Sequence, residues 1–289
     1  MNDWQGHVNR YAKSGTRDAA NRHVHTTRRS CASAALPVSS PPWCTVMPEF
    51  RLTDQDTIYT DDSVLAVVKP AGCLSQPDAT GDADLVTIAK AYIRRKEGEA
   101  DAFVGLVHRL DRPASGVMIL ARTSEAARDL SEQFRERLVE KRYLAVVEGQ
   151  MTGMGTCTGF IAKEDREPKL VGADHPAGKR AMLQWQALAP ADPSAGEHAS
   201  VVQVQLQTGR SHQIRLQLAG EGHPIVGDFR HGASTELDGR NLALHQILLR
   251  VEHPATYRML TLTASPPDTW QNVLSSAQWT RVCETVERL

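Results

Sequence analysis

No run of about 18 uncharged apolar residues occurs in this chain, so no segment is expected to span a membrane. Cysteine is scarce and unpatterned. Cys31, Cys44, Cys73, Cys157 and Cys283 are odd in number, widely spaced and free of any C-x-x-C pair. That argues against a disulfide framework or a cysteine zinc site, and for a reducing compartment. An excess of positive charge is also missing. With 33 Lys and Arg against 34 Asp and Glu, the formal net charge is -1, and composition alone does not mark a nucleic-acid binder. Whole-chain charge leaves open whether the cations gather on one face. Several chemistries lack their signatures: there is no G-x-x-x-x-G-K-[ST] phosphate loop, no G-x-S-x-G elbow and no H-x-E…P-C-x-x-C deaminase pattern. The histidines are not at metal-ligand spacing. No metal and no cofactor is expected.

What is present is ordinary globular material, 41% hydrophobic and 23% charged, over 289 residues. That length buries a substantial core. Residues 1–46 differ from the rest, with many Arg, Ser, Ala and His, few acids and no apolar period. Such a segment cannot bury enough surface to offset its ordering entropy, so it is read as a disordered extension. Two alternatives stand beside that: a mis-assigned start with Met47 as the true beginning, or a mitochondrial transit peptide. Residues 47–289 are expected to form the working domain.

Organised structure is expected from about Phe50. Val64 to Val68 and Val117 to Ala121 are continuous apolar runs and read as buried strands. Leu85, Ile88, Ala89 and Tyr92 recur at helical spacing behind Asp84, a plausible N-cap. Ala127, Leu130, Phe134 and Leu138 mark a second helix starting at Thr123-Ser124-Glu125. Tyr143 to Val147, 181–188, 201–207, Leu242 to Leu249 and Met259 to Leu262 read as further strands, and Gln213 to Ala219 as a helix. Residues 151–200 carry many turn formers and little period. Strands and helices mix without strict βαβ alternation, which favours α+β with a mixed or antiparallel sheet.

Three segments carry candidate chemistry. Gly105 to Val117 holds His108-Arg109-Leu110-Asp111-Arg112 in a constrained turn before a strand. Thr208 to Arg215 (TGRSHQIR) sets two arginines, a hydroxyl and an amide behind a strand, a good surface for phosphate or carboxylate. Glu140-Lys141-Arg142-Tyr143 joins a helix to a strand. Taken singly, these read as a surface ion cluster, a solvated basic turn and an ordinary strand aromatic.

Together, in this order and spacing, they resemble the RluA-type family of pseudouridine synthases. Upstream Val67-Val68-Lys69-Pro70-Ala71-Gly72, later Gly222 to Asp228, and Leu244-His245 with Glu252-His253-Pro254 belong to the same pattern, which runs from about 56 to about 270. The resemblance implies a central mixed or antiparallel sheet with flanking helices and an RNA-binding cleft. It implies isomerisation of specific uridines in structured RNA, 23S rRNA or tRNA, by base flipping and a catalytic aspartate. Asp111 matches that aspartate, and Arg215 the arginine paired with it. Tyr143 matches the active-site tyrosine that stacks on the base and is placed to assist proton removal. Arg109 matches the arginine that fills the space of the flipped base. His108, Arg112, Arg142, Arg210, His212 and Lys69 complete the RNA-binding set, with His108 supporting its loop and Arg210 contacting phosphate. No basic S4-type domain precedes residue 50, and 151–200 departs from the pattern.

The chemistry fits these residue types. The isomerisation breaks an N-glycosidic bond, turns the base and rejoins it through carbon, with no redox step and no group donor. An ionised carboxylate must either attack the sugar or take a proton from it. A close guanidinium favours that charged form. Cations concentrate in and around the motifs while acids gather elsewhere, as in 54–62, so a basic cleft on a near-neutral protein is expected. A monomer in the bacterial cytoplasm is expected, or a mitochondrial protein if residues 1–46 are a transit peptide. The rival readings are a non-catalytic RNA-binding protein retaining the cleft, and a glycosidase, which would want a second positioned acid.

Overall fold

The computed structural model describes residues 50–99, 101–191 and 198–289. The expectations for residues 1–46 and for Met47 lie outside them. Among the described residues, strand β1 (Thr57–Thr60) and β2 (Val64–Lys69) lead into helix α1 (Leu85–Glu97). Then come β3 (Gly105–Leu106), β4 (Ser115–Ala121), α2 (Ser124–Glu136) and β5 (Glu140–Glu148). The long strands β6 (Met154–Glu164) and β8 (Lys179–Ala189) flank the short β7 (Glu167–Val171). After β9 (Ala199–Leu206) and α3 (Gln213–Gly220), the chain closes with β10 (Leu244–Glu252), β11 (Met259–Thr263) and α4 (Ser276–Glu287).

The helices start where capping chemistry allows. The Asp84 carboxylate accepts the Thr87 N–H at 3.0 Å, and Gly98, at φ 76°, ends α1 in the left-handed region. Thr123 Oγ1 caps α2 by accepting the Ala126 N–H at 3.1 Å. Arg137 ends that helix at φ 61°, so Leu138, expected on its apolar face, lies beyond it and is 71% exposed. Residues 151–200, read as turn-rich, hold all of β6, β7 and β8. Their side chains alternate between partial burial and solvent at a sheet extremity, which leaves little apolar period to detect.

All eleven strands join one sheet in the order β1-β2-β4-β10-β5-β9-β8-β6-β7, with β3 beside β4 and β11 beside β10. The strand pairs are antiparallel except β4 with β10, so the sheet is mixed and the class is α+β. The continuous apolar runs of β2 and β4 follow from burial on both faces. Leu65, Val67, Met118 and Leu120 pack with Leu85, Ala89 and Ile93 of α1. Val64, Ala66, Val117 and Ile119 pack with Ala126 and Leu130 of α2. On the far half, Leu216 of α3 packs on Ile161 and Ala181, while Gln217 Nε2 donates to the Cys157 and Ala181 carbonyls at 3.2 and 3.3 Å.

The two halves meet at a narrow seam. β4 and β10 pair at only two positions, Ser115 with His245 and Gly116 with Gln246, after which β3 and β11 fill the widening gap. At Gly116 the backbones almost touch: φ is 129°, and a Cβ there would lie 2.4 Å from the Gln246 nitrogen. Only glycine meets both conditions. Gly116→Ala is therefore expected to destabilise the fold by more than about 3 kcal/mol, combining strain and overpacking. Urea unfolding of the variant beside wild type checks this, and a midpoint within error of wild type would contradict it.

Candidate active site

The loop between β3 and β4 carries Asp111 and is held by its neighbours' polar groups. Ser75 Oγ donates to the Leu110 carbonyl at 2.7 Å and accepts the Leu110 N–H at 3.1 Å. The Gly72 N–H donates to the Arg112 carbonyl at 2.8 Å, and the Asp111 carbonyl accepts the Ala114 N–H at 3.1 Å. Lys69 ties the arrangement together. Fully buried, its ammonium donates to the carbonyls of Cys73 at 2.7 Å, Pro70 at 2.9 Å and Arg112 at 3.2 Å. Burial lowers its pKa to about 8. Lys69 was expected among the RNA contacts. It cannot reach RNA from there, and instead braces the Asp111 loop.

His108 has a related task. β3 stops after Leu106, and the next free N–H on β4, that of Ile119, is taken by His108 Nε2 at 3.0 Å. The imidazole also stacks on Phe134, with centroids 4.6 Å apart. Desolvation, helped by Lys141, pushes its pKa down to about 3. The ring is thus neutral, with one nitrogen committed to β4.

Asp111 faces a cleft of about 790 Å³, bordered by its own loop, by Lys141 and Tyr143 of β5, and by Gly209 to Arg215. Arg215, at the start of α3, sends Nη1 to Asp111 Oδ2 at 3.2 Å. Its Nε and Nη2 grip Asp228 Oδ2 and Oδ1, each at 2.7 Å. The two-point grip thus belongs to Asp228, a motif residue given no role in the sequence reading, and the bond to Asp111 is single. His212, in the left-handed region at φ 52°, places Nε2 3.9 Å from Asp111 Oδ2 and pairs through Nδ1 with His231 Nε2 at 3.1 Å. Desolvation lowers the pKa of both histidines, so neutral rings are favoured beside the guanidinium. His212 is a neighbour of the carboxylate as well as part of the cleft lining, and His231 was not foreseen.

Tyr143 is buried with its ring on the cleft wall. Burial first, and the Asp111 charge second, raise its phenol pKa well above the ordinary value. Arg109 is exposed at the cleft and makes no hydrogen bond or ion pair among the described residues. Arg210 lines the cleft while its Nε donates to the Arg180 carbonyl at 3.1 Å. Two other expected RNA contacts are already engaged. Arg112 Nε donates to the Gly72 carbonyl at 3.1 Å and its Nη1 pairs with Asp82 at 2.7 Å. Arg142 pairs with Glu140 at 2.6 Å and lies outside the cleft, because strand alternation sends Lys141 and Tyr143 inward and Arg142 to the opposite face. Lys141, counted only among the cations around the motifs, lines the cleft, as the period of β5 would have indicated, and so do Arg135 and Arg137, which no motif marked.

The lining holds eight Lys or Arg side chains against two Asp, a basic cleft in a chain of net charge -1. Among the described residues no group of three or more His, Cys, Asp or Glu is placed to hold a metal ion, and no helix is long and apolar enough to cross a membrane.

A mixed-sheet α+β domain with a carboxylate, an arginine and a buried tyrosine in a basic cleft is suited to an enzyme that acts on an anionic substrate such as a nucleic acid. Sequence comparison narrows it. The profile of the RNA pseudouridylate synthase family matches residues 63–220. The chain is 34% identical over 248 residues to tRNA pseudouridine synthase C of Yersinia pestis, covering 81% of this chain and 95% of that one. It is 33% identical over 247 residues to ribosomal large subunit pseudouridine synthase D of Xylella fastidiosa, covering 78% and 72%. The human RNA pseudouridylate synthase domain containing 4 shares the fold, with a TM-score of 0.63 at 22% identity over 79% of this chain and 93% of that one. The chain belongs to the RNA pseudouridylate synthase family, of the RluA type, and isomerises uridine in RNA to pseudouridine.

His108 gives the site a pH signature. A histidine kept neutral by the fold has a folded pKa (about 3) below its ordinary 6.5, so its stabilising contribution is full above pH 6.5 and is lost as pH falls toward 3. Between pH 6.5 and 4 that amounts to a few kcal/mol at most, at about 1.4 kcal/mol per unit. His108→Gln, which keeps an acceptor but no titrating ring, should lose less stability than wild type over that window. Parallel pH dependences in urea unfolding would overturn the assignment.

Proposed function

We propose that Asp111 is the catalytic carboxylate of this synthase, with Arg215 holding it and Tyr143 contacting the target base. The observation carrying this is convergence. Residues from three distant segments, 111, 143 and 215, border one basic cleft, and Arg215 reaches Asp111 at 3.2 Å. The target uridine leaves its stack at a cost of a few kcal/mol. Arg109, free and exposed at the cleft, has the reach to fill the vacated space. The base then lies against the Tyr143 ring with its sugar toward Asp111. The N1–C1′ bond breaks, the base turns, and C5 bonds to C1′. N1 gains a proton and C5 loses one. Tyr143, with its raised pKa, is a phenol at neutral pH, which suits it to packing and to guiding a proton better than to acting as a standing phenolate. Arg210, Lys141, Lys163 and Arg137 are placed to meet phosphates along the cleft.

The RNA is proposed to be tRNA, since the Yersinia pestis relative, matched over 95% of its length, is named as acting on it. Large-subunit rRNA is a second reading, favoured by the Xylella fastidiosa relative. The protein is proposed to work as a cytoplasmic monomer, with residues 47–289 as its catalytic domain.

Asp111→Asn should abolish pseudouridine formation, a loss of at least about 10⁴-fold, and change RNA affinity by less than about threefold, as the loss of a reacting group rather than a binding one does. Pseudouridine mapping of total RNA from cells lacking the protein, complemented with wild type or Asp111→Asn, reads this directly and names the modified site. Restoration of the missing modification by Asp111→Asn would sink the proposal.

A further inference from the structure

Arg215 has two carboxylates and holds them differently. Toward Asp228 it presents Nε and Nη2 in two bonds of 2.7 Å each. Toward Asp111 it presents Nη1 alone, at 3.2 Å. The side chain of Asp228 is 1% exposed, that of Arg215 6%, and that of Asp111 28%, since Asp111 opens to the cleft and Asp228 does not. Asp228 is also fixed through its backbone. Its N–H donates to the Ile225 carbonyl at 2.9 Å, and its carbonyl accepts the N–H groups of His231 at 3.0 Å and Ala233 at 3.1 Å. Gly227 before it sits at φ 84°, and a Cβ there would lie 2.2 Å from the Asn241 carbonyl oxygen.

We infer that Asp228 is a positioning residue, the permanent counter-ion that holds Arg215 in place while Asp111 is the transient one. This rests on Asp111 being the reacting carboxylate. By either route, attack on the sugar or removal of a sugar proton, Asp111 gives up its negative charge during the reaction. A guanidinium paired with Asp111 alone would at that moment be a bare buried cation, a strongly unfavourable state. With Asp228 in place it keeps one full partner throughout. The parallel bonds also fix the plane of the guanidinium, so Nη1 stays aimed at the Asp111 oxygen. A single, longer bond leaves Asp111 able to move onto the substrate, where a two-point clamp would restrain it.

The test compares Asp111→Asn, Asp228→Asn and Asp228→Glu. Thermal unfolding gives one readout. The other is tritium release from [5-³H]uridine-labelled RNA extracted from cells lacking the protein. Asp111→Asn should keep a melting temperature within about 3 °C of wild type, because Arg215 retains Asp228. Asp228→Asn should lower it by on the order of 10 °C. It should also slow release at saturating RNA by about 100-fold, with the half-saturating RNA concentration changed less than about threefold. Asp228→Glu, which restores the charge, should recover at least about tenfold of that rate. Melting losses of equal size for Asp111→Asn and Asp228→Asn would overturn the inference, as would wild-type release by Asp228→Asn. If Asp228→Asn does not fold, the melting temperature of Asp111→Asn and the rate of Asp228→Glu still decide it. Activity surviving in Asp111→Asn would instead refute the catalytic assignment, leaving the melting comparison to judge the counter-ion.

Discussion

A buried guanidinium must have an anion beside it, and in this protein that requirement ties the site together. Arg215 sits at the start of α3, on the half of the sheet built from β5 to β9. Its carboxylate partners come from the loop before β4 and from the turn after Val226. One cation therefore registers three parts of the chain, and the cleft lies between them. Losing Asp228 would strand the Arg215 charge in a low-dielectric setting, which is far more costly than losing a surface pair.

The same logic holds the Asp111 loop. A loop next to a cleft cannot complete a strand ladder, so its polar groups need partners of another kind. Here Lys69 spends all three ammonium donors on carbonyls, Ser75 both donates and accepts, and His108 supplies the acceptor that β3 is too short to provide. Of these residues only His108 shares a motif with the proposed catalytic aspartate, and all three support the loop without facing the cleft as cations. The Gly116 seam has a parallel role, since it lets β4 and β10 approach closely enough to set the loop against β5.

Much of the fold was legible. Continuous apolar runs marked β2 and β4, capping residues marked α1 and α2, and the mixed order of elements indicated an α+β sheet. β6 and β7 were missed because one face of each meets solvent and their sequences carry few strong β-formers. At the site, Asp111, Arg215, Tyr143 and Arg109 meet at the cleft, whereas Lys69 and Arg142 do not. A lysine at the end of an apolar strand reads equally well as an exposed cation or as a buried brace. Only the carbonyls of Cys73 and Arg112, brought near by folding, distinguish the two. Arg142 and Lys141 differ by one position, and in a strand one position decides the face.

The sequence by itself determined which residue types were available and where strands, caps and motif turns would form, because those depend on local periodicity and backbone preference. The tertiary structure decided which charged groups are solvated and which are paired. Ion pairing at low dielectric is a matter of distances of a few ångströms between residues more than 100 positions apart, as with Asp111 and Arg215. It was this that gave the firm grip on Arg215 to Asp228 and left Asp111 with a single bond facing the cleft.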